Sequence, residues 1–131
     1  MSLPAISMLY AGALGILAVV LSMLIGPLRM RSGTSIYDGG NPQLGAAIRR
    51  HGNFSEHVPL ALILLSLIEL GGASPLLLHG LGGTLLVARV VHPFGLDPGN
   101  LRNPLRLGSA LATTLVQLVA SGVALRQALL G

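Results

Sequence analysis

From Leu3 to Leu28 the chain runs without a single charged side chain. Nothing else in the sequence limits the fold as much. A helix crosses the hydrocarbon core of a bilayer with about 20 predominantly apolar residues. Inside that core every backbone polar group needs an internal partner, so only helices and closed barrels span it. Leu107 to Leu125 is a second uncharged run of spanning length. Both runs are apolar around their whole circumference, unlike a helix that covers a water-facing core. Two less pure segments lie between them, from about Leu44 to Leu70 and from about Ser74 to Val91. They meet at Gly71-Gly72, followed by Pro75, which reads as a tight break between antiparallel helices. The expectation is an all-α membrane protein, a four-transmembrane-helix bundle forming one domain over residues 1–131. Its spans cover about 3–28, 44–70, 74–93 and 105–127. The first run is not a standard secretory signal, because it lacks a basic leader and is longer than such a signal's apolar core.

Composition closes the soluble alternative. Charged residues make up 9% of the chain, against about 25% in a typical soluble domain. There is no cysteine, which excludes disulfide and protein-thiol chemistry. The formal charge of +4 comes from eight arginines against four acids. These arginines border apolar runs or sit in short loops, so nucleic acid is not an expected partner and the lipid bilayer is. Aromatics are 3% and Trp is absent, so the usual interfacial belt is nearly missing.

Arginine placement gives direction. Arg29, Arg31, Arg49 and Arg50 flank the loop between spans one and two, and Arg102 and Arg106 flank the loop between spans three and four. The opposite side has Arg126. The positive-inside rule makes both arginine-bearing loops cytoplasmic and leaves both termini outside. Tyr37-Asp38-Gly39-Gly40-Asn41-Pro42 and Asp97-Pro98-Gly99-Asn100 are turn clusters within those loops. Small residues recur at four-residue spacing in span one (Ala18, Ser22, Gly26) and span four (Gly108, Ala112), which lets helices approach closely within or between subunits.

The candidate site lies where span two begins, in Arg49 to Leu65. At about 100° per residue, Arg49, Asn53 and Glu56 share one narrow helical face. Arg50 and His57 form a second stripe beside it, and His51 points nearly the other way. Pro59 frees the carbonyl of Ser55 and is expected to kink the helix. A charge in a bilayer should face protein or water and have a partner. Arg89 in span three lies at a similar depth, with His92 at i+3 on nearly the same face. A Glu56–Arg89 pair across spans two and three is therefore expected. Snorkelling to the headgroups accounts for Arg29, Arg31 and Arg50 taken singly, but not for an acid and an amide on one face with Arg49. A net-positive pocket opening to the cytoplasm fits better. It would suit a small anionic or zwitterionic molecule whose amine Glu56 holds.

Four spans with Arg49, Asn53, Glu56 and Pro59 opening the second resemble the membrane-associated proteins in eicosanoid and glutathione metabolism, the MAPEG family. Asp38-Gly39-Gly40, Ala47-Ile48-Arg49, His51-Gly52-Asn53, Arg89-Val90-Val91-His92 and Arg106-Leu107-Gly108 resemble its bacterial branch. The resemblance runs over nearly the whole chain. It implies a homotrimer in the inner membrane with glutathione as cosubstrate, bound between subunits near the cytosolic face. Lipophilic electrophiles would reach the thiol from the bilayer, in a transferase or peroxidase reaction. The matching glutathione contacts are Arg49, Asn53, Glu56 and His57 from one subunit. Arg29, His92 and an arginine opening span four would come from the next. His51 falls where some members have a polar contact, and Arg89 joins the same group. Arg106 is the candidate for stabilising the thiolate, with Arg102 as the alternative. A thiol with pKa near about 8.5 is mostly protonated at neutral pH, and a guanidinium beside it favours the nucleophilic form. The sequence departs from the family's enzymes at His57, His92 and Leu96, where tyrosines are common.

Other classes remain open at the level of sequence. His51, His57, His79 and His92 contain no i, i+4 pair, so no metal is expected. His79 reads as a satisfied or snorkelling histidine, and Glu69 as an acid near the outer border that can reach water. Asn53-Phe54-Ser55 matches a glycosylation sequon but lies on the cytoplasmic side of a helix. A non-catalytic lipid-binding or scaffold protein is the alternative function, separated from an enzyme by activity with a chromogenic electrophile. A small proton-coupled transporter using Glu56 is a third, separated by liposome flux.

Overall fold

A computed structural model describes residues 2–131. It consists of five helices, α1 Ala5–Met23, α2 Ile25–Ser32, α3 Pro42–Leu70, α4 Pro75–Gly95 and α5 Pro104–Leu130, with no strand among the described residues. Four spans are long and apolar enough to cross a membrane, Ala5–Ser32 (α1 with α2), α3, α4 and α5.

The first span differs from its expected end. It continues past Leu28 to Ser32 and stops at Gly33, whose φ of 64° is left-handed. The break between α1 and α2 has a local cause. Pro27 has no N–H to give the carbonyl of Met23, so the ladder loses a bond there. Leu24 keeps right-handed geometry and its N–H still reaches the Val20 carbonyl at 3.2 Å. The two pieces therefore act as one rod. Pro59 stands inside α3, and the helix runs through it from Pro42 to Leu70 without interruption.

The three later spans start alike. Asn41, Ser74 and Asn103 are the N-caps of α3, α4 and α5, and proline follows each of them. Asn41 Oδ1 accepts from the amides of Gln43 and Leu44 at 3.0 and 3.1 Å, and Asn103 Oδ1 from that of Leu105 at 2.9 Å. A polar cap satisfies orphan amides, and proline costs nothing where its missing N–H would be an orphan anyway. Between α3 and α4, Gly72 takes a φ of 85° and the Ala73 amide returns to the Ile68 carbonyl at 2.9 Å. This is the glycine break expected at that position.

In cross-section α1 packs on α3 and α4, and α5 packs on the same two helices from the other side. The shared interior explains the spacing of buried residues. In α3 they are Phe54, Val58, Ala61, Leu65 and Ile68, alternating four and three apart. That seam is the one two helices use when they pack at a shallow angle. Leu14 and Leu21 of α1, Leu78, Leu81 and Leu85 of α4, and Val116 and Ala120 of α5 complete the core.

Two contacts tie α1 down at the end opposite the arginine-rich loops. Glu69, half-buried near the end of α3, accepts from the amides of Ile6 and Ser7 at 2.9 and 2.7 Å and from Ser7 Oγ at 2.6 Å. It caps the start of α1, where four amides have no helical partner. Tyr10 lies across α4, with its hydroxyl 3.0 Å from His79 Nδ1. Its ring occupies the space a side chain at Gly82 would need. His79 is thus satisfied by a protein partner.

Candidate functional site

At the arginine-rich end, the first half of α3, the last turn of α4 and the first turn of α5 converge on a polar cavity of about 510 Å³. Arg49 and Asn53 line it from α3, His92 from α4 and Arg106 from α5, with Asp38 and Asp97 contributed by the flanking turns.

Two glycines shape this convergence. A Cβ on Gly95 would run into the backbone of Leu105 and Arg106. Without one, the end of α4 meets the first turn of α5 backbone to backbone, and His92 and Arg106 come to line one cavity. A Cβ on Gly52 would sit 3.0 Å from Arg49 Nη1. Its absence leaves the guanidinium room to extend along the helix to Glu56, seven residues on.

That reach sets the ion pairing. Arg49 Nη1 and Nη2 donate to Glu56 Oε1 and Oε2 at 3.0 and 3.3 Å, with both side chains about half exposed (55% and 54%). The expected Glu56–Arg89 pair does not form. Arg89 is 1% exposed on the inner face of α4, and its Nη2 donates to Asn53 Oδ1 at 2.9 Å. Its guanidinium carbon lies 5.6 Å from the centre of the Phe54 ring. Glu56 is on the exposed side of α3, where Arg49 holds it, and Asn53 occupies the inward position facing Arg89.

The remaining residues separate clearly. Arg50 is an interhelical clamp: Nε donates to the Pro93 carbonyl and Nη2 to the Leu96 carbonyl, both at 2.9 Å. These carbonyls belong to the end of α4, where helical partners run out. Arg29 closes its own loop, Nη1 donating to the carbonyls of Thr34 and Tyr37 at 3.3 and 2.8 Å, and it does not line the cavity. Arg102 is exposed and outside the cavity, whereas Arg106 is part of its wall. His51 is half-buried and outside it as well, its carbonyl accepting from Ser55 Oγ at 3.0 Å. His57 and Arg89 line a smaller neighbouring cavity that shares Asn53. Of the ten residues singled out in the sequence, one chain therefore gathers Arg49, Asn53, His92 and Arg106. His92 is 2% exposed, and its Nδ1 has no partner among the described residues.

Sequence reasoning read Asp38 and Asp97 only as turn formers. Asp38 Oδ1 accepts from the Gly40 amide at 3.0 Å, in a turn where Tyr37, Gly39 and Gly40 all have positive φ. Each aspartate heads a glycine-containing turn beside an arginine-bearing helix end, and that juxtaposition is the signal that marks them.

A second, apolar groove of about 580 Å³ runs between α4 and α5, lined by Val87, Ala88, Val91, Leu105, Gly108 and Ala112 among others. Leu105 lines this groove and Arg106 the polar cavity, at successive positions in the first turn of α5.

The family model of the MAPEG family matches residues 7–126 of the chain. The inner membrane protein YecN of Escherichia coli strain K12 is 37% identical over 90 residues, 69% of the length of each protein. YecN of Escherichia coli O6:H1 matches to the same extent. No solved structure gives a significant match.

Proposed function

Because the chain belongs to the MAPEG family, we propose that its polar cavity binds glutathione or a related thiol and presents it to lipophilic electrophiles as a transferase or peroxidase. The observation that carries this reading is the gathering of Arg49, Asn53, His92 and Arg106 around one cavity, with an apolar groove lined from the same first turn of α5. Cavities of about 300–1,000 Å³ suit small ligands and cosubstrates. The wall carries two arginines and two aspartates rather than the net-positive lining expected from sequence, so a zwitterionic, hydrogen-bonding molecule fits the polar side and a bilayer-soluble one the groove.

Each residue has a task. Arg106 favours the thiolate over the thiol, and the thiolate forms the new C–S bond as the electrophile's leaving group departs with its electron pair. The Asn53 amide supplies a hydrogen bond, and His92 forms part of the wall that positions the ligand. Arg49 and Glu56 neutralise each other until a zwitterion offers each a replacement, a carboxylate for Arg49 and an ammonium for Glu56.

The four candidate spans, and the inner-membrane location in YecN's name, support an inner-membrane protein. The arginine-bearing loops support a cavity on the cytoplasmic side with both termini outside. Ser22, Gly26 and Gly108 are exposed on their helices, where small residues favour close packing between copies. This supports a homotrimer, in which Arg29 would serve a neighbour's site by giving up its loop carbonyls.

The test is the ultraviolet absorbance of bound thiolate together with turnover of a chromogenic electrophile. Wild-type protein holds glutathione as thiolate at neutral pH and turns the electrophile over. Arg106→Ala binds glutathione but loses both signals. Bound glutathione that shows neither signal in the wild type would favour the non-catalytic lipid-binding reading. An unchanged Arg106→Ala variant would remove Arg106 from the chemistry.

A further inference from the structure

The four acids of this chain leave one buried cation without a counter-ion. Glu56 is held by Arg49 and Glu69 by the start of α1. Asp38 binds the Gly40 amide, and Asp97 lies in an exposed turn. Arg89, 1% exposed, has no carboxylate within salt-bridge distance among the described residues. Its polar contact is the single bond to Asn53, and its Nε has no partner among the described residues. A guanidinium in such surroundings is costly without an anion. The Phe54 ring at 5.6 Å offsets a small part of that cost.

Beside Arg89 lies a cavity of about 170 Å³, lined by Asn53 and His57 of α3, Arg89 of α4, and Ala110, Thr113 and Thr114 of α5. Among the described residues, no carboxylate lines it. Asn53 Oδ1 must face Arg89, because a guanidinium only donates, which leaves the amide nitrogen of Asn53 as a donor. The hydroxyls of Thr113 and Thr114 already donate to the carbonyls of Ser109 and Ala110 at 2.9 and 3.0 Å. The donors left beside the cavity are guanidinium N–H groups of Arg89 that Asn53 does not take, the Asn53 amide nitrogen and one nitrogen of the His57 ring. We propose that this cavity is a binding site for a small monovalent anion, which serves as the counter-ion of Arg89 and links α3, α4 and α5. The anion is either a free halide or the carboxylate tail of a molecule reaching in from the neighbouring polar cavity, which shares Asn53. The inference does not depend on the identity of the thiol.

The experiment uses the full chain in detergent. Thermal unfolding is followed while chloride or bromide replaces gluconate at constant ionic strength, since gluconate is too bulky for the cavity. Halide raises the wild-type midpoint in a saturable way. Asn53→Asp places a carboxylate on Arg89 directly, so it unfolds at the same temperature in halide and gluconate. Arg89→Met also loses the halide shift, and if that variant does not fold, Asn53→Asp carries the test. In bromide-soaked crystals an anomalous peak lies between Asn53 and Arg89 in the wild type and is lost in Asn53→Asp. Saturating glutathione then separates the sources: it displaces bromide if its carboxylate uses the site, and leaves the peak if a free anion does. A wild-type midpoint indifferent to halide with no bromide peak would overturn the proposal. So would a halide shift that persists in Asn53→Asp.

Discussion

Arg50 lines neither cavity, yet it fixes one wall of the larger one, so its removal is a demanding test. Its guanidinium donates to the carbonyls of Pro93 and Leu96 at 2.9 Å each. These two bonds join α3 to the segment that carries Leu96 and Asp97 into the cavity wall. A charge-assisted hydrogen bond contributes about 1.5–3 kcal/mol net. The side chain is half-buried and the freed carbonyls can recover part of their bonding from water, so we expect Arg50→Met to cost about 2–4 kcal/mol in total. Equilibrium unfolding in mixed micelles reads the loss. Hydrogen exchange reads its location, with faster exchange over residues 93–101 and little change in the α1–α3 contacts. Lysine is a point charge that cannot span both carbonyls, so Arg50→Lys restores less than half of the loss. A cost below about 0.5 kcal/mol, with exchange unchanged at the end of α4, would show that Arg50 only orients its helix at the membrane border.

Three further outcomes follow from the same geometry. Glu69→Gln removes the charge that caps α1, and stability falls by about 1–2 kcal/mol; proteolysis of the first turn of α1 becomes faster in the same preparation. Gly95→Ala improves helix propensity by less than about 1 kcal/mol but puts a methyl against the backbone of Leu105 and Arg106. Melting temperature and glutathione affinity therefore both drop, and an unchanged affinity would mean that α5 shifts without moving Arg106 from the cavity. Gly82→Ala displaces the Tyr10 ring and breaks its contact with His79; it destabilises by about 1–3 kcal/mol, and adding Tyr10→Ala relieves most of the loss, measured as a double-mutant cycle in thermal unfolding.

The spans were legible because lipid solubility is written in bulk hydrophobicity, and the turn at Gly71-Gly72 because a left-handed position needs glycine. The inward faces were harder to read. The outer surface of a spanning helix is as apolar as its core, so Leu14 cannot be told from Ile16 by type, although one is fully buried and the other 70% exposed. Helical period put Arg49, Asn53 and Glu56 on one face, but that face straddles the edge of α3, with Asn53 turned inward to Arg89 and Glu56 on the exposed side. The Glu56–Arg89 pair failed because depth says nothing about which side of α3 faces α4, and because Gly52 opens a path for Arg49 that spacing rules do not weigh. Arg50 looked like a border arginine since its acceptors are backbone carbonyls, which carry no sequence signature. Asp38 and Asp97 join the cavity through loop geometry, the part of a fold least visible in residue type.

Calorimetric titration of glutathione into detergent-purified protein, wild type beside Arg49→Ala, His92→Ala, Arg106→Ala and Arg102→Ala, tests the central claim most directly. Saturable binding to the wild type, weakened at least about tenfold, or about 1.4 kcal/mol, by loss of Arg49 or His92 and unaffected by loss of Arg102, is the expected result. The Arg106 variant still binds but releases no proton on binding. A folded wild-type protein that binds no glutathione, or one whose affinity is indifferent to Arg49 and His92, would contradict the account.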